Sequence, residues 1–358
     1  MIGIAFQTYI RQLDCLKNHL SIQQQFDSVN EEIQVSNLAE DVKAHINTVL
    51  QKNTDEKIFD YNSNIISLYG YWEQYVESVI KEYLNVLKNL KTKNDVRNEA
   101  IKYRYKNSLV ALFNKVSSSN PKFRHLTDEH IINAMYIGYY QKQNDYIPEA
   151  FYQSGGNYNK KETVDCFHRL GFKDFANSLI KYPALHAYYI GVGYTEDTIK
   201  NASDNTLFAK LDNLVSYRNE IAHGGSDGST LLNAEEVMEY VKFMLALGAS
   251  LTERLNDDIC AIMWSKKTCN EIEVLRYYDR LNVSVLRRDI FYIDTSKSVL
   301  CYAGNNRYPH YQLVRVKEMR VNGIPYSDAQ YLSSDSHDEV SIIFDTKIKK
   351  GCKLKFEE

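Results

Sequence analysis

From residue 64 to residue 90 the chain reads NIISLYGYWEQYVESVIKEYLNVLKNL. Apolar side chains recur in it at steps of three and four: Ile65, Leu68, Tyr69, Trp72, Tyr75, Val76, Val79, Tyr83 and Leu87. That period matches an α-helix, so the run is predicted to form one helix of about seven turns with a single apolar stripe. So long and aromatic a stripe must be covered by other helices, which commits this part of the chain to a helical bundle. The same spacing, less regular, occupies FQTYIRQLDCLKNHLSIQQQF and NLAEDVKAHINTVLQK before it and NDVRNEAIKYRYKNSLVALFNKV after it.

Periodicity lapses between about 141 and 161, where QKQNDYIPEAFYQSGGNYNKK collects Gly, Asn, Gln and Pro and reads as a surface loop. Helical spacing returns in KETVDCFHRLGF, KDFANSLIKY, DNTLFAKLDNLVSYRNEIAHGG and NAEEVMEYVKFMLALGASLTERLNDDI. The last opens on Asn233 with Glu236 three residues later, close to a capping box. From about 270 the runs become short and rich in β-branched and aromatic residues, and Asn322-Gly323 between two of them signals a hairpin. The expected architecture is mainly α: a helical domain over 1–262, then a small β-rich accessory domain over 271–358.

Composition excludes several classes. No stretch approaches the roughly 18 apolar residues of a spanning helix, and the first residues lack the pattern of a secretory signal, so a cytoplasmic protein without membrane contact is expected. The six cysteines are scattered without C-x-x-C pairs and read as reduced thiols. A net charge of -3 provides no global positive field for a long nucleic acid, so any such contact must be local. The 28 tyrosines read as packing residues before they read as base-stacking rings. H-E-x-x-H, Walker A, G-x-G-x-x-G and G-x-S-x-G motifs are all missing, and neither a cofactor nor a metal is expected.

SYRNEIAHGG, residues 216–225, ends an apolar run with Arg218, Asn219 and His223. Gly224 suits the left-handed position after a helix, and a histidine in the last turn complements the dipole, so an ordinary helix terminus accounts for part of the stretch. Arg218 follows Leu214 by four and so falls on or beside the buried face, an awkward position for a guanidinium. Five residues along an ideal helix separate Arg218 from His223 by about 7.5 Å and roughly 140°, so within one helix the two side chains diverge. Arg124 and His130 nearly repeat the spacing and are read as a decoy.

LDNLVSYRNEIAHGG resembles the R-x4-6-H signature of the HEPN superfamily (higher eukaryotes and prokaryotes nucleotide-binding), including the polar residue straight after the arginine, here Asn219. LYGYWEQYVESVIKEYL is similar to an early helix of its RiboL-PSP and MAE_28990/MAE_18760-like groups, and ETVDCFHRLGF to the segment those groups place ahead of the motif. The resemblance covers about 55–255. It implies a helical bundle that forms a homodimer through the motif helices and, in many members, a metal-independent endoribonuclease acting as a toxin or in antiviral defence. It also implies a supporting glutamate on the early helix, matched by Glu73, with Glu77 one turn on; a solvated pair of glutamates is the alternative. Toxins paired with a nucleotidyltransferase antitoxin carry a tyrosine two residues after the histidine; here that residue is Gly225, so regulation through it is not expected.

Chemistry points the same way. Cutting RNA without metal uses the ribose 2′-OH as nucleophile and needs a base, an acid and positive charge at the phosphate. Imidazole can serve as base or acid near neutrality, and each chain offers one candidate, His223. A two-fold dimer would supply two. Arg218 would clamp the phosphate and Asn219 would bond it or orient His223. Lys91, Lys93, Arg97, Lys102, Arg104 and Lys106, interleaved with Tyr103 and Tyr105, are either a track for RNA or a solvated helix face; KIKKGCKLKF near the end allows the same two readings. The expected partners are RNA, a second copy of the chain and an antitoxin or defence-system protein. The rivals are a non-catalytic RNA- or nucleotide-binding scaffold and a regulatory subunit of a defence complex.

Overall fold

A computed structural model describes the chain apart from residues 36–37, 51–53, 91–95, 119–120, 141–144, 153–156, 225–230, 288–291, 327, 329, 333–337 and 357–358, and apart from the side chains of some helical and strand residues beside these, Arg97 among them. Lys91, Lys93 and Gly225 therefore lie outside the described residues. Two compact units emerge, residues 2–180 with 184–252, and residue 1 with 181–183 and 253–358.

Among the described residues the chain forms α1 (Ile4–Val35), α2 (Glu40–Leu50), α3 (Thr54–Asn89), α4 (Val96–Ser117), α5 (Asp128–Met135), α6 (Lys160–Arg169), α7 (Phe175–Leu179), α8 (Pro183–Gly191), α9 (Glu196–Asn201), α10 (Asp204–Leu207), α11 (Ala209–Ala222) and α12 (Ala234–Lys266). The whole predicted stripe of α3 is buried. It lies against α1, whose Tyr9, Leu13, Leu16 and Leu20 share one face, and against α11. At the centre Tyr9 stacks on Tyr75 with ring centroids 4.5 Å apart. The Tyr75 hydroxyl donates to the Gly248 carbonyl at 2.7 Å and lies 2.7 Å from Thr252 Oγ1, which ties α3 to α12. Glu82 receives the amides of Gly3, Ile4 and Ala5 at 2.8–3.0 Å, a carboxylate where the first turn of α1 leaves its donors unmet.

Local signals locate most helix ends. Asn233 and Glu236 form the expected capping box, each side chain accepting the other's amide at 2.8–2.9 Å. Two predicted segments depart from expectation: the helix of KDFANSLIKY ends at Leu179, and a separate helix outside the predicted segments starts on Pro183, where a proline loses no bond. DNTLFAKLDNLVSYRNEIA breaks at Phe208, whose φ of −104° and ψ of 9° leave the helical region. The segment read as loop contains a short 3-10 turn at Pro148–Ala150. No helix among the described residues is long and apolar enough to cross a membrane.

The β-rich unit comprises β1 (Ile272–Tyr278), β2 (Val283–Leu286), β3 (Tyr292–Asp294), β4 (Ser298–Tyr302), β5 (Tyr311–Val321), β6 (Ile324–Pro325), β7 (Gln330–Leu332), β8 (Val340–Phe344) and β9 (Lys353–Lys355). Its pairings are antiparallel and close on themselves in the order β4-β9-β1-β2-β8-β5-β4, a small barrel. Register shifts in β1 at Val274/Arg276 and in β5 at Val316/Glu318 provide the bends that closure requires. Asn322 and Gly323, with φ of 52° and 80°, make the predicted two-residue hairpin between β5 and β6. Inward side chains including Val274, Val314, Ile342 and Leu354 fill the interior. Residues 253–266 of α12 belong to this unit, where Cys260 and Trp264 pack on Leu300. Asp257 there accepts the amides of His310 and Tyr311 at 3.1 and 2.7 Å and the Tyr182 hydroxyl at 2.5 Å. Lys355 departs from a solvated basic run: it is buried, its ammonium donating to the carbonyls of Trp264 and Lys267 at the end of α12.

Candidate functional site

α11 carries the Arg-Asn-x3-His motif, and its packing on α3 decides where each member points. Leu211, Leu214 and Val215 are buried, and Tyr217 meets Tyr240 of α12 edge to face with ring centroids 6.0 Å apart. That clamps the last two turns between α3 and α12. Arg218 is half-buried, with its guanidinium over the ring of Tyr69 at 5.4 Å. A planar cation on an aromatic face resolves the awkward placement seen in the sequence, because the ring tolerates the charge that an aliphatic contact would not.

Asn219 is fixed by two donors. Its Oδ1 accepts Nη1 of Arg218 at 3.2 Å and Nδ2 of Asn157 at 2.6 Å. Asn157 precedes α6 in a segment pinned at the next residue, where the Tyr158 amide donates to the Tyr69 hydroxyl at 3.0 Å and the Tyr158 carbonyl accepts Trp72 Nε1 at 3.1 Å. Tyr69 therefore serves two segments, its ring under Arg218 and its oxygen under the backbone that presents Asn157. Burial, Glu73 and Glu77 push its phenol well above the ordinary tyrosine range, opposed by the Tyr158 amide and by Arg218, so it stays protonated.

His223 caps α11 at its C-terminus, its amide donating to the Asn219 carbonyl at 3.0 Å, and Gly224 follows with φ of 72°. The ordinary helix-terminus features are thus present alongside the motif. The imidazole is exposed and makes no side-chain hydrogen bond or ion pair among the described residues. Five residues of helix separate Arg218 from His223, a spacing that turns the two side chains apart.

Glu73 and Glu77 do not meet Arg218 or His223 directly among the described contacts. Both face Lys122, which lies 3.2 Å from Glu73 Oε1 and closer still to Glu77, and Glu77 also accepts the Tyr158 hydroxyl at 2.8 Å. Among the described residues they form the acidic side of a network with Lys122 and Tyr158, and both charges bear on Tyr69. Of Lys102, Arg104 and Lys106 on α4, Lys102 is 8% exposed and cannot track a polymer; it borders the buried line of Ile101, Tyr105, Leu109 and Leu112. Tyr105 is 1% exposed and stacks on Phe151, so it offers no platform for bases, whereas Tyr103 is 78% exposed. Arg104 is half-buried against His168, and Lys106 is exposed. Among the described residues no group of three His, Cys, Asp or Glu could hold a metal.

Sequence reasoning missed Asn157, Lys122 and Tyr158, and placed Tyr69 only in the core stripe. Nothing in the spacing of Asn157, 62 residues before Asn219, marks it as a partner. The decoy resolves as structure: His130 Nδ1 accepts the Thr127 amide at 3.3 Å and completes a capping box at the start of α5.

In comparison with known proteins, the sequence model of the RiboL-PSP-HEPN family matches residues 31–257. No curated protein and no solved structure matches the chain.

Proposed function

The chain belongs to the RiboL-PSP-HEPN family, whose domains act generally as ribonucleases or nucleotide-binding modules, and on that premise we propose that it is a metal-independent endoribonuclease. The ribose 2′-OH attacks the adjacent phosphorus and the 5′-oxygen leaves, giving 2′,3′-cyclic phosphate and 5′-OH ends. Arg218 holds the phosphate and stabilises the charge that builds on it. His223 moves the proton, and Asn219 keeps the guanidinium aimed. DNA lacks the nucleophile and is spared.

The observation that carries this reading is the state of Arg218. Its plane rests on Tyr69, one donor goes to Asn219, and its other N–H groups meet no acceptor among the described residues. A guanidinium so oriented and so little satisfied is prepared for an anion. Because one helix turns Arg218 and His223 apart, the working unit is a homodimer in which two motif helices share one cleft and contribute two imidazoles. The β-rich domain over 271–358 acts as a sensor, partner-binding or RNA-positioning module, and the protein works in the cytoplasm as a toxin or antiviral-defence effector restrained until triggered.

The test is incubation of RNA with the full chain in EDTA, beside His223→Ala and Arg218→Ala. Each substitution is expected to lower cleavage by about 10²-fold to 10⁴-fold, with cyclic phosphate ends in the unsubstituted reaction. A strict requirement for Mg²⁺, or full activity in a strictly monomeric sample, overturns the mechanism. That His223 has no side-chain hydrogen bond or ion pair among the described residues favours a second reading, an RNA-binding scaffold that does not cut; it predicts unchanged RNA affinity in His223→Ala and no cleavage to lose.

A further inference from the structure

α4 and α6 pack together and carry three cations that no carboxylate answers among the described residues. Arg104 Nη2 lies 3.3 Å from Nε2 of His168. A guanidinium only donates, so in this contact Nε2 is the acceptor. Arg104 Nη1 is buried without a hydrogen-bond partner. Arg169 donates from Nε to the main-chain carbonyl of Asp165 at 3.3 Å and from Nη2 to Cys166 Sγ at 3.4 Å, and no ion pair joins it to the exposed Asp165 carboxylate. Lys115 sits three turns beyond Arg104 on the same face of α4, about 16.5 Å along the axis. Partial burial, then the positive charges of Arg169 and Lys122, holds its ammonium below the ordinary lysine range.

Gathering like charges without an acid is unfavourable, and here it occurs in a chain whose net charge is -3. The arrangement gains a purpose if an anion occupies it. The cations also lead towards the motif. Lys122, beside Lys115, bonds Glu73 at 3.2 Å and lies 5.3 Å from the Tyr158 ring, and the Glu73 charge bears on Tyr69, the ring beneath Arg218.

We propose that the seam between α4 and α6, with Arg104, Lys115 and Arg169 as donors, binds the phosphate backbone of a single-stranded RNA whose scissile bond lies at Arg218. The inference rests on the endoribonuclease reading for the identity of the polymer. It also relocates the basic track: the inward lysine at 102 drops out, and Lys115 and Arg169, from a helix end and a different helix, replace it.

Fluorescence anisotropy of a labelled single-stranded RNA tests the seam in the full chain carrying His223→Ala, so that the probe is not consumed. Replacing Lys115→Gln and Arg169→Gln together is expected to reduce the slope of log affinity against log salt by about 1.4, at about 0.7 per lost phosphate contact. Between 50 and 200 mM salt the deficit of the double variant should then shrink about seven-fold, a four-fold change in salt raised to that power. Each single substitution should give half the slope change, which keeps the test readable if the double variant folds poorly; Lys17→Gln, on α1, should leave the slope unchanged. An unaltered slope in the singles, or no RNA binding by the parent, overturns the proposal. So does saturation of the seam by inorganic phosphate without competition from RNA. Cleavage is scored separately in the unsubstituted chain: cutting with no slope change removes the seam alone, while a slope change without cutting removes the nuclease and supports the seam.

Discussion

Replacing Gly248 by alanine sets two effects of opposite sign against each other. Alanine in a helix interior is favoured over glycine by about 1 kcal/mol, and Gly248 lies in the middle of α12. An added Cβ there would stand 2.7 Å from Tyr9 Cε1, 3.0 Å from Cδ1 and 3.4 Å from Tyr75 Cε1. Ordinary contact begins near 3.4 Å, so the Tyr9 ring must retreat by about 0.7 Å, and it has little room to do so. It is 1% exposed, stacked on Tyr75 at 14° between planes, and its hydroxyl donates to the Met244 carbonyl at 3.3 Å. Overpacking of this kind costs about 1–3 kcal/mol, and loosening the stacked pair about 0.5–1.5 kcal/mol more. After the helical gain is subtracted, Gly248→Ala should be less stable by about 2 kcal/mol. Gly70 is the control: it is exposed in the middle of α3 and an added Cβ meets nothing within 4 Å. Gly70→Ala should be more stable by about 1 kcal/mol. Urea unfolding followed by circular dichroism at 222 nm reads the helices of both variants. If Gly248→Ala matches or exceeds the unsubstituted chain, the Tyr9–Tyr75 stack is not the rigid centre inferred from its burial and bonds.

Two further outcomes follow from individual side chains. Burial pushes the Glu253 carboxyl up to about 7, and its Oε2 has no hydrogen-bond partner among the described residues. The folded chain therefore holds this proton more tightly than the unfolded chain, so the contribution is favourable at low pH and is lost as pH rises from about 4.3 through about 7. Glu253→Gln should stabilise the protein at pH 8 by roughly 1–3 kcal/mol and change little near pH 4, as read from urea midpoints at the two values; no gain at pH 8 contradicts the assignment. Asn157→Ala removes the 2.6 Å donor that holds the Asn219 oxygen beside Arg218. A neutral hydrogen bond of about 1 kcal/mol corresponds to roughly a five-fold loss of cleavage, expected in kcat more than in KM. Asn157→Asp keeps the shape but cannot donate, so it should be at least as slow, and a normal rate in that variant rules out the positioning role.

The sequence by itself determined what depends on neighbours a few residues apart. The stripe of α3, the capping box at Asn233 and Glu236, the hairpin at Asn322-Gly323 and the change from helical to strand periodicity near 270 all repeat or close within a handful of residues. The same local reading located Arg218, Asn219 and His223 on one helix end and predicted that the charged pair would diverge. It misjudged Lys102 and Lys355 because a lysine beside an apolar stripe looks alike in sequence whether its ammonium reaches solvent or turns inward. The local reading also joined two helices that Phe208 divides and did not identify the helix that starts on Pro183. Tertiary structure alone decided which groups surround the motif. The ring under Arg218 comes from 149 positions earlier and the donor to Asn219 from 62, while Lys115 and Arg169 gather from two helices. Such meetings depend on how the helices pack, and packing is fixed by the sum of many weak apolar contacts that leaves no periodic trace at the polar residues it brings together.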